Sequence, residues 1–125
     1  STPDGRAELE GIVRELYATL EANRVGIKLL DSSARDMPEL AALWFSGARS
    51  GLVELLTQYF TARIRQKRFK PQPDPAATAR LVLETLVFWA VHRHWDPSPQ
   101  PVDETLARET AVKFVVDALV MEGAR

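Results

Sequence analysis

The sequence predicts an all-α fold, a bundle of helices forming a single domain over residues 1–125. Three observations carry this reading. Apolar residues recur at spacings of three and four over long stretches, the period of a helix that buries one face. No run alternates with period two over a useful length, and no Asn-Gly pair marks a hairpin. Prolines cluster between the periodic stretches, at 70–75 and 96–101, where they interrupt helices.

The first helix reads from about 6 to 30. Leu9, Ile12, Val13, Leu16, Tyr17 and Leu20 make its apolar stripe, Gly26 loosens its end, and Asp31-Ser32-Ser33 is a loop signal. The second begins at Asp36-Met37-Pro38-Glu39. Asp36 is placed to accept first-turn amides. Pro38 loses little there, because those amides have no helical partner, and Glu39 completes a capping-box pattern. The stripe continues through Leu40, Leu43, Trp44, Ala48, Leu52, Leu55, Leu56, Tyr59, Phe60 and Ile64, interrupted by Gly47 and Gly51. The two glycines predict a kink or short break over 46–50, giving two helices in sequence. Asp74, immediately before Pro75, reads as the N-cap of a third helix that runs to about Trp95. Asp103 caps the fourth, and Gly123 is placed to end it.

The fourth helix is too apolar for the outer helix of a small monomer. Ala107, Ala111, Phe114, Val115 and Ala118 make one stripe, and Val112, Val116, Leu119 and Val120 make a second about a quarter turn away. A helix packed from one side needs a single apolar face about 100° wide. Two faces predict two things to pack against, the second being another copy of this chain.

Composition narrows the function classes. Hydrophobic residues are 46%, enough for a core, and the net charge of -1 carries no nucleic-acid footprint. Without cysteine there is neither a disulfide framework nor a thiolate metal site. No apolar run approaches the roughly 18 residues of a membrane span. The start, Ser1-Thr2-Pro3-Asp4-Gly5, has no signal-peptide pattern and no initiator Met. The chain therefore reads as a trimmed piece of a longer, cytoplasmic protein.

Chemistry-bearing motifs are absent. No serine sits in a G-x-S-x-G elbow, and there is no P-loop, H-E-x-x-H or dinucleotide fingerprint. Paired carboxylates such as Glu8 and Glu15, or Asp103 and Glu104, lie among helix-surface charges. His92 and His94 are two apart, so on a helix they point about 200° from each other and cannot chelate one metal. No enzyme activity, cofactor or metal is expected. The basic run Arg63, Arg65, Lys67, Arg68 and Lys70 ends a helix, where the macrodipole favours cations. Aromatic residues on three helices either fill the core or line an apolar pocket. Face and bulk select Tyr17, Trp44, Tyr59, Phe88, Trp89 and His92 as pocket candidates, with Gly47 and Gly51 removing volume beside them.

The order of elements is familiar. A long amphipathic helix precedes a Pro38-Glu39-Leu40 start, and a helix ends in Arg65-Gln66-Lys67-Arg68-Phe69. Pro73-Asp74-Pro75-Ala76-Ala77 opens the next, which ends in His92-Arg93-His94-Trp95-Asp96-Pro97. The last reads Ala111-Val112-Lys113-Phe114-Val115-Val116-Asp117-Ala118-Leu119-Val120. This resembles the C-terminal ligand-binding and dimerisation domain of TetR-family transcriptional regulators, from about Arg6 to Gly123. The resemblance implies that the last two helices pair with those of a second subunit as a four-helix bundle, a face placed at Val87, Val91, Val112, Phe114, Val116 and Leu119. It implies a small-molecule effector, apolar or aromatic, held by the upstream helices. It implies operator DNA bound through an N-terminal helix-turn-helix domain, which this sequence does not contain, and a repressor that releases DNA on effector binding. The competing expectation is a helical adaptor with a filled core and no small ligand.

Overall fold

Six α-helices, one π-helical segment and one 3-10 turn make up the computed structural model, which describes residues 5–98 and 101–122. The chain runs α1 (Gly5–Ala22), α2 (Arg24–Ser32), α3 (Pro38–Ala42), the π segment (Leu43–Arg49), α4 (Ser50–Arg65), α5 (Pro75–Ala90), the 3-10 turn (His92–Trp95) and α6 (Glu104–Leu119). The fold is all-α. Among the described residues the sole ladder-like pairing is an isolated bridge between Phe69 and Val120. No described helix is long and apolar enough to cross a membrane.

The core is one contiguous cluster in which α1, α5 and α6 pack on one another and α4 lies against α5. Leu9, Val13, Tyr17 and Leu20 form the buried stripe of α1, as its periodicity predicts. Burying each such side chain contributes about 2 kcal/mol. Two bidentate ion pairs orient α1 on its neighbours. Arg14 meets Glu109 of α6 through Nε (2.9 and 3.1 Å) and Nη2 (2.7 Å). Arg63 of α4 meets Glu8 through Nε (2.8 Å) and Nη2 (3.2 Å), and the Tyr59 hydroxyl donates to the same carboxylate at 2.7 Å.

The structure corrects several helix ends. The first helix breaks at Asn23 instead of loosening at Gly26. The Asn23 side chain donates to the Thr19 carbonyl at 2.8 Å, a local bond that competes with the helical ladder. The second element starts at Pro38, but Met37 occupies the cap position and no side chain caps it, so the Asp36–Glu39 capping box does not form. Asp36 is instead held in a turn, its amide donating to the Ser33 carbonyl at 3.1 Å. The interruption expected over 46–50 is a seven-residue π segment through which the helix continues.

The caps of the last two long helices form as read. Asp74 accepts from the amides of Ala76 and Ala77, and Asp103 from those of Thr105 and Leu106. The third helix ends sooner than expected, at Ala90, and the rest of its stretch to Trp95 tightens into the 3-10 turn. The fourth ends at Leu119, because Val120 turns extended and pairs with Phe69. Its amide neighbours complete the stitch, with Lys70 donating to Leu119 at 2.7 Å and Met121 to Arg68 at 2.9 Å. Gly123 lies outside the described residues. At the end of α4 the chain reverses through Lys67 at φ 59°. Arg68 donates to Arg63 and Lys67 to Ile64, the bonding pattern of a Schellman cap with lysine where glycine is usual.

The packing of α6 places the residues of the expected dimer face. Most of the helix's two apolar stripes is covered by its own chain, with Ala107, Ala111, Val112, Val115, Val116, Leu119 and Val120 buried, but Phe114 and Ala118 of the first stripe are exposed. The helix packs against both α1 and α5, so two neighbours within its own chain share its buried face. Of the proposed dimer face, Val87, Val91, Val112, Val116 and Leu119 are core residues, each at most 4% exposed, while Phe114 is 67% exposed. The apolar surface these helices do present is Leu81 and Phe88 on α5 and Leu106 and Phe114 on α6.

Candidate ligand groove

An open groove of about 570 Å³ runs between α1 and the segment Trp44–Leu52. Ile12, Leu16 and Leu20 supply the α1 wall, Ile27 of α2 closes one end, and Trp44, Ala48 and Leu52 form the opposite wall. Nearly all of the lining is apolar carbon. That combination of concavity, apolar lining and a few polar groups is what small-molecule sites share.

The sequence places these residues by two devices. On α1, Leu9, Val13, Tyr17 and Leu20 sink into the core, which leaves Ile12 and Leu16 half-buried on the shoulder of the helix. On the other wall the π segment supplies a wider turn than an α-helix, a feature that recurs at functional sites. Trp44, 7% exposed, and Ala48 come from this segment, and Leu52 follows four residues later on α4. The glycines do not open the groove by removing volume. A Cβ at Gly51 would meet nothing within 4 Å, and one at Gly47 would meet only the Ala42 carbonyl oxygen at 3.9 Å.

Glu15 and Thr19 of α1 and Asn23 at the break before α2 follow one another at four-residue spacing and line the polar edge of the groove. The Thr19 hydroxyl donates to the Glu15 carbonyl at 3.0 Å. Of the candidates chosen from face and bulk, the groove contains Trp44. Tyr17 is in the core, its hydroxyl donating to the Trp89 carbonyl at 3.2 Å, and burial pushes its pKa up. Tyr59 belongs to the Glu8–Arg63 contact, where burial and the neighbouring carboxylate raise its pKa strongly. Phe88 is exposed, Trp89 lies under the Arg93 guanidinium at 5.2 Å, and His92 is half-buried in the 3-10 turn. Of the six, Trp44 alone lines this groove, while Tyr17 and Trp89 meet each other in the core. Ile12, Glu15, Leu16, Thr19, Leu20, Asn23, Ile27, Ala48 and Leu52 were not among the candidates. The signal that could have found the edge is the polar line at 15, 19 and 23 flanking the apolar stripe at 12, 16 and 20.

A second polar cluster joins α1, the 3-10 turn and α6. Arg93 is 8% exposed, donating from Nε to the Trp89 carbonyl at 3.0 Å and from Nη2 to Glu104 at 3.0 Å. Those bonds make its burial tolerable. Burial presses its pKa down, but the hydrogen bonds to Glu104 and Tyr17 outweigh it and raise the value. Burial and the nearby Arg24 lower the pKa of His94, whose Nε2 lies 3.3 Å from Arg24 Nη1 and 3.6 Å from Glu104. Glu21 shares a hydrogen bond with Glu104, which raises the Glu21 pKa. The cluster is internally satisfied and does not border the groove. Among the described residues no group of His, Asp and Glu is arranged to hold a metal.

No protein-family model matches the chain, and no curated protein sequence or solved structure does either.

Proposed function

We propose that this chain is an effector-sensing, dimerising helical domain of the TetR type, cytoplasmic, whose groove takes a small apolar ligand. The carrying observation is the open, almost wholly apolar groove walled by Trp44 and the π segment. The resemblance in element order supplies the rest of the reading: operator DNA engaged through a separate N-terminal domain, and release of DNA when the ligand binds. For that coupling the ligand must bind the released conformation better than the DNA-competent one. The exposed Leu81, Phe88, Leu106 and Phe114 on the last two helices support a homodimer, through Phe114 of the face first chosen and three residues outside it. They equally favour the second reading, a helical adaptor that docks a protein partner and takes no small ligand.

A thermal-shift screen of apolar and aromatic compounds separates the two. A ligand at 100 times its dissociation constant adds about 2.7 kcal/mol, a rise in Tm on the order of 10 °C for a chain of this size. Ala48 lines the groove and is exposed, so Ala48→Trp fills it without disturbing the core. Stabilisation of the parent protein that disappears in Ala48→Trp is the expected result. Stabilisation by no compound in a broad library, or an equal shift in the variant, refutes the ligand reading and leaves the adaptor.

A further inference from the structure

We infer that the molecule this groove selects is an organic cation, an apolar body with an ammonium-type head placed against Glu15. The inference rests on reading the groove as a ligand site and goes further by assigning the charge of its ligand. Glu15 is the ionisable side chain in the lining. It is exposed, and its carboxylate has no ion-pair or hydrogen-bond partner among the described residues. Along the same edge the Thr19 hydroxyl donates to the Glu15 carbonyl at 3.0 Å, and Asn23 Nδ2 donates to the Thr19 carbonyl at 2.8 Å. Donors on this edge are therefore engaged by the helix itself, and what it offers a ligand is mainly oxygen acceptors.

Arg14, the cation next to Glu15 in the chain, pairs with Glu109 at 2.7 Å, and those close to the other lining residues are also engaged. Arg24 Nη1 is 3.3 Å from His94, Lys28 Nζ lies 5.8 Å from the Trp95 ring centroid, and Arg49 pairs with Glu84 at 3.4 Å. A carboxylate or phosphate head in the groove would meet a carboxylate and no cation in the lining. A cationic head gains that same charge, and an aromatic wall also favours cations over anions. Because the groove is open to water, the charge contact is worth about fivefold in affinity, and attraction against repulsion about tenfold between opposite heads.

The test uses one apolar tail with three heads: decyltrimethylammonium, decanol and decanoate, each below its micelle concentration at low salt. Affinities are measured by calorimetry on the parent protein, Glu15→Gln and Ala48→Trp. The cation should bind about tenfold more tightly than decanoate, with decanol between them. In Glu15→Gln the cation and carboxylate should come within about twofold, with decanol unchanged. Ala48→Trp should weaken all three. Equal binding of the three heads, a preference for decanoate, or a cation preference that survives Glu15→Gln overturns the inference while leaving the groove as a ligand site. Binding of none of the three, or binding untouched by Ala48→Trp, overturns the ligand-site reading itself.

Discussion

Val116→Asp should unfold the protomer, whereas Phe114→Asp, two positions away on the same helix, should leave it folded. Val116 has no exposed surface and sits where α6 meets α1 and α5. Removing its buried side chain costs about 2 kcal/mol. A carboxyl in its place either stays neutral without a hydrogen-bond partner or ionises against burial. A pKa raised by about 3 units in a fully buried setting corresponds to roughly 4 kcal/mol at neutral pH. The sum, about 6 kcal/mol, takes most of the 5–15 kcal/mol that holds a typical domain folded. Phe114 is 67% exposed, so the same change there alters protomer stability by about 0.5 kcal/mol. Urea melts followed by circular dichroism should show a lost or collapsed transition for Val116→Asp and a near-parental midpoint for Phe114→Asp. Sedimentation of the two proteins supplies the second readout: if the α5–α6 face pairs copies, Phe114→Asp sediments as a folded monomer. A Val116→Asp protein that keeps the parental midpoint and merely dissociates would refute the reasoning, because the second apolar face of α6 would then be meeting a partner chain.

Two further outcomes follow from the way α1 and α4 are joined. Hydrogen bonds from Arg63 and Tyr59 hold the Glu8 pKa below its ordinary value of 4.5, so the contact stabilises the fold above that value and is lost as pH falls through the folded-state pKa. Glu8→Gln should therefore cost about 1 kcal/mol at pH 7, after allowance for solvent screening of a half-buried pair. That difference should shrink towards zero in urea melts repeated down to about pH 3; a gap constant with pH would show that the charge is not what matters. Lys67→Gly should stabilise the protein by roughly 0.5–1 kcal/mol, since left-handed backbone costs a lysine more than the added chain entropy of glycine. An unchanged or lowered midpoint would mean that the turn is held by its bonds to Arg63 and Ile64 with no strain to relieve.

Local signals were legible in the chain wherever one segment contained both the cause and its effect. Asp74 with Pro75, and Asp103 with its following amides, are complete within three or four residues, and both caps form. Capping failed at Asp36 because a turn starting at Ser33 claimed that residue's backbone first. The aromatics were harder. Bulk selects residues that bury well, and the residues that bury best, such as Tyr17, go to the core and not to a groove wall. The groove is instead lined by half-buried shoulders of helices, which carry no composition signal of their own.

What the sequence determined by itself is the all-α class, the apolar stripes, the N-caps of the last two long helices and the interruption near Gly47. All of these depend on interactions within a turn or two of one helix. What the tertiary structure decided is which stripe meets which neighbour. The doubly apolar α6 needed two partners on either account, and periodicity cannot say whether the second is α1 or another chain. Packing α6 against α1 and α5 buries most of both faces inside the protomer and leaves Phe114 outside, and Ile12, Leu16 and Trp44 line an open groove. The physical reason is that burial is non-directional: it demands that apolar faces be covered, and only chain geometry selects the face that covers them.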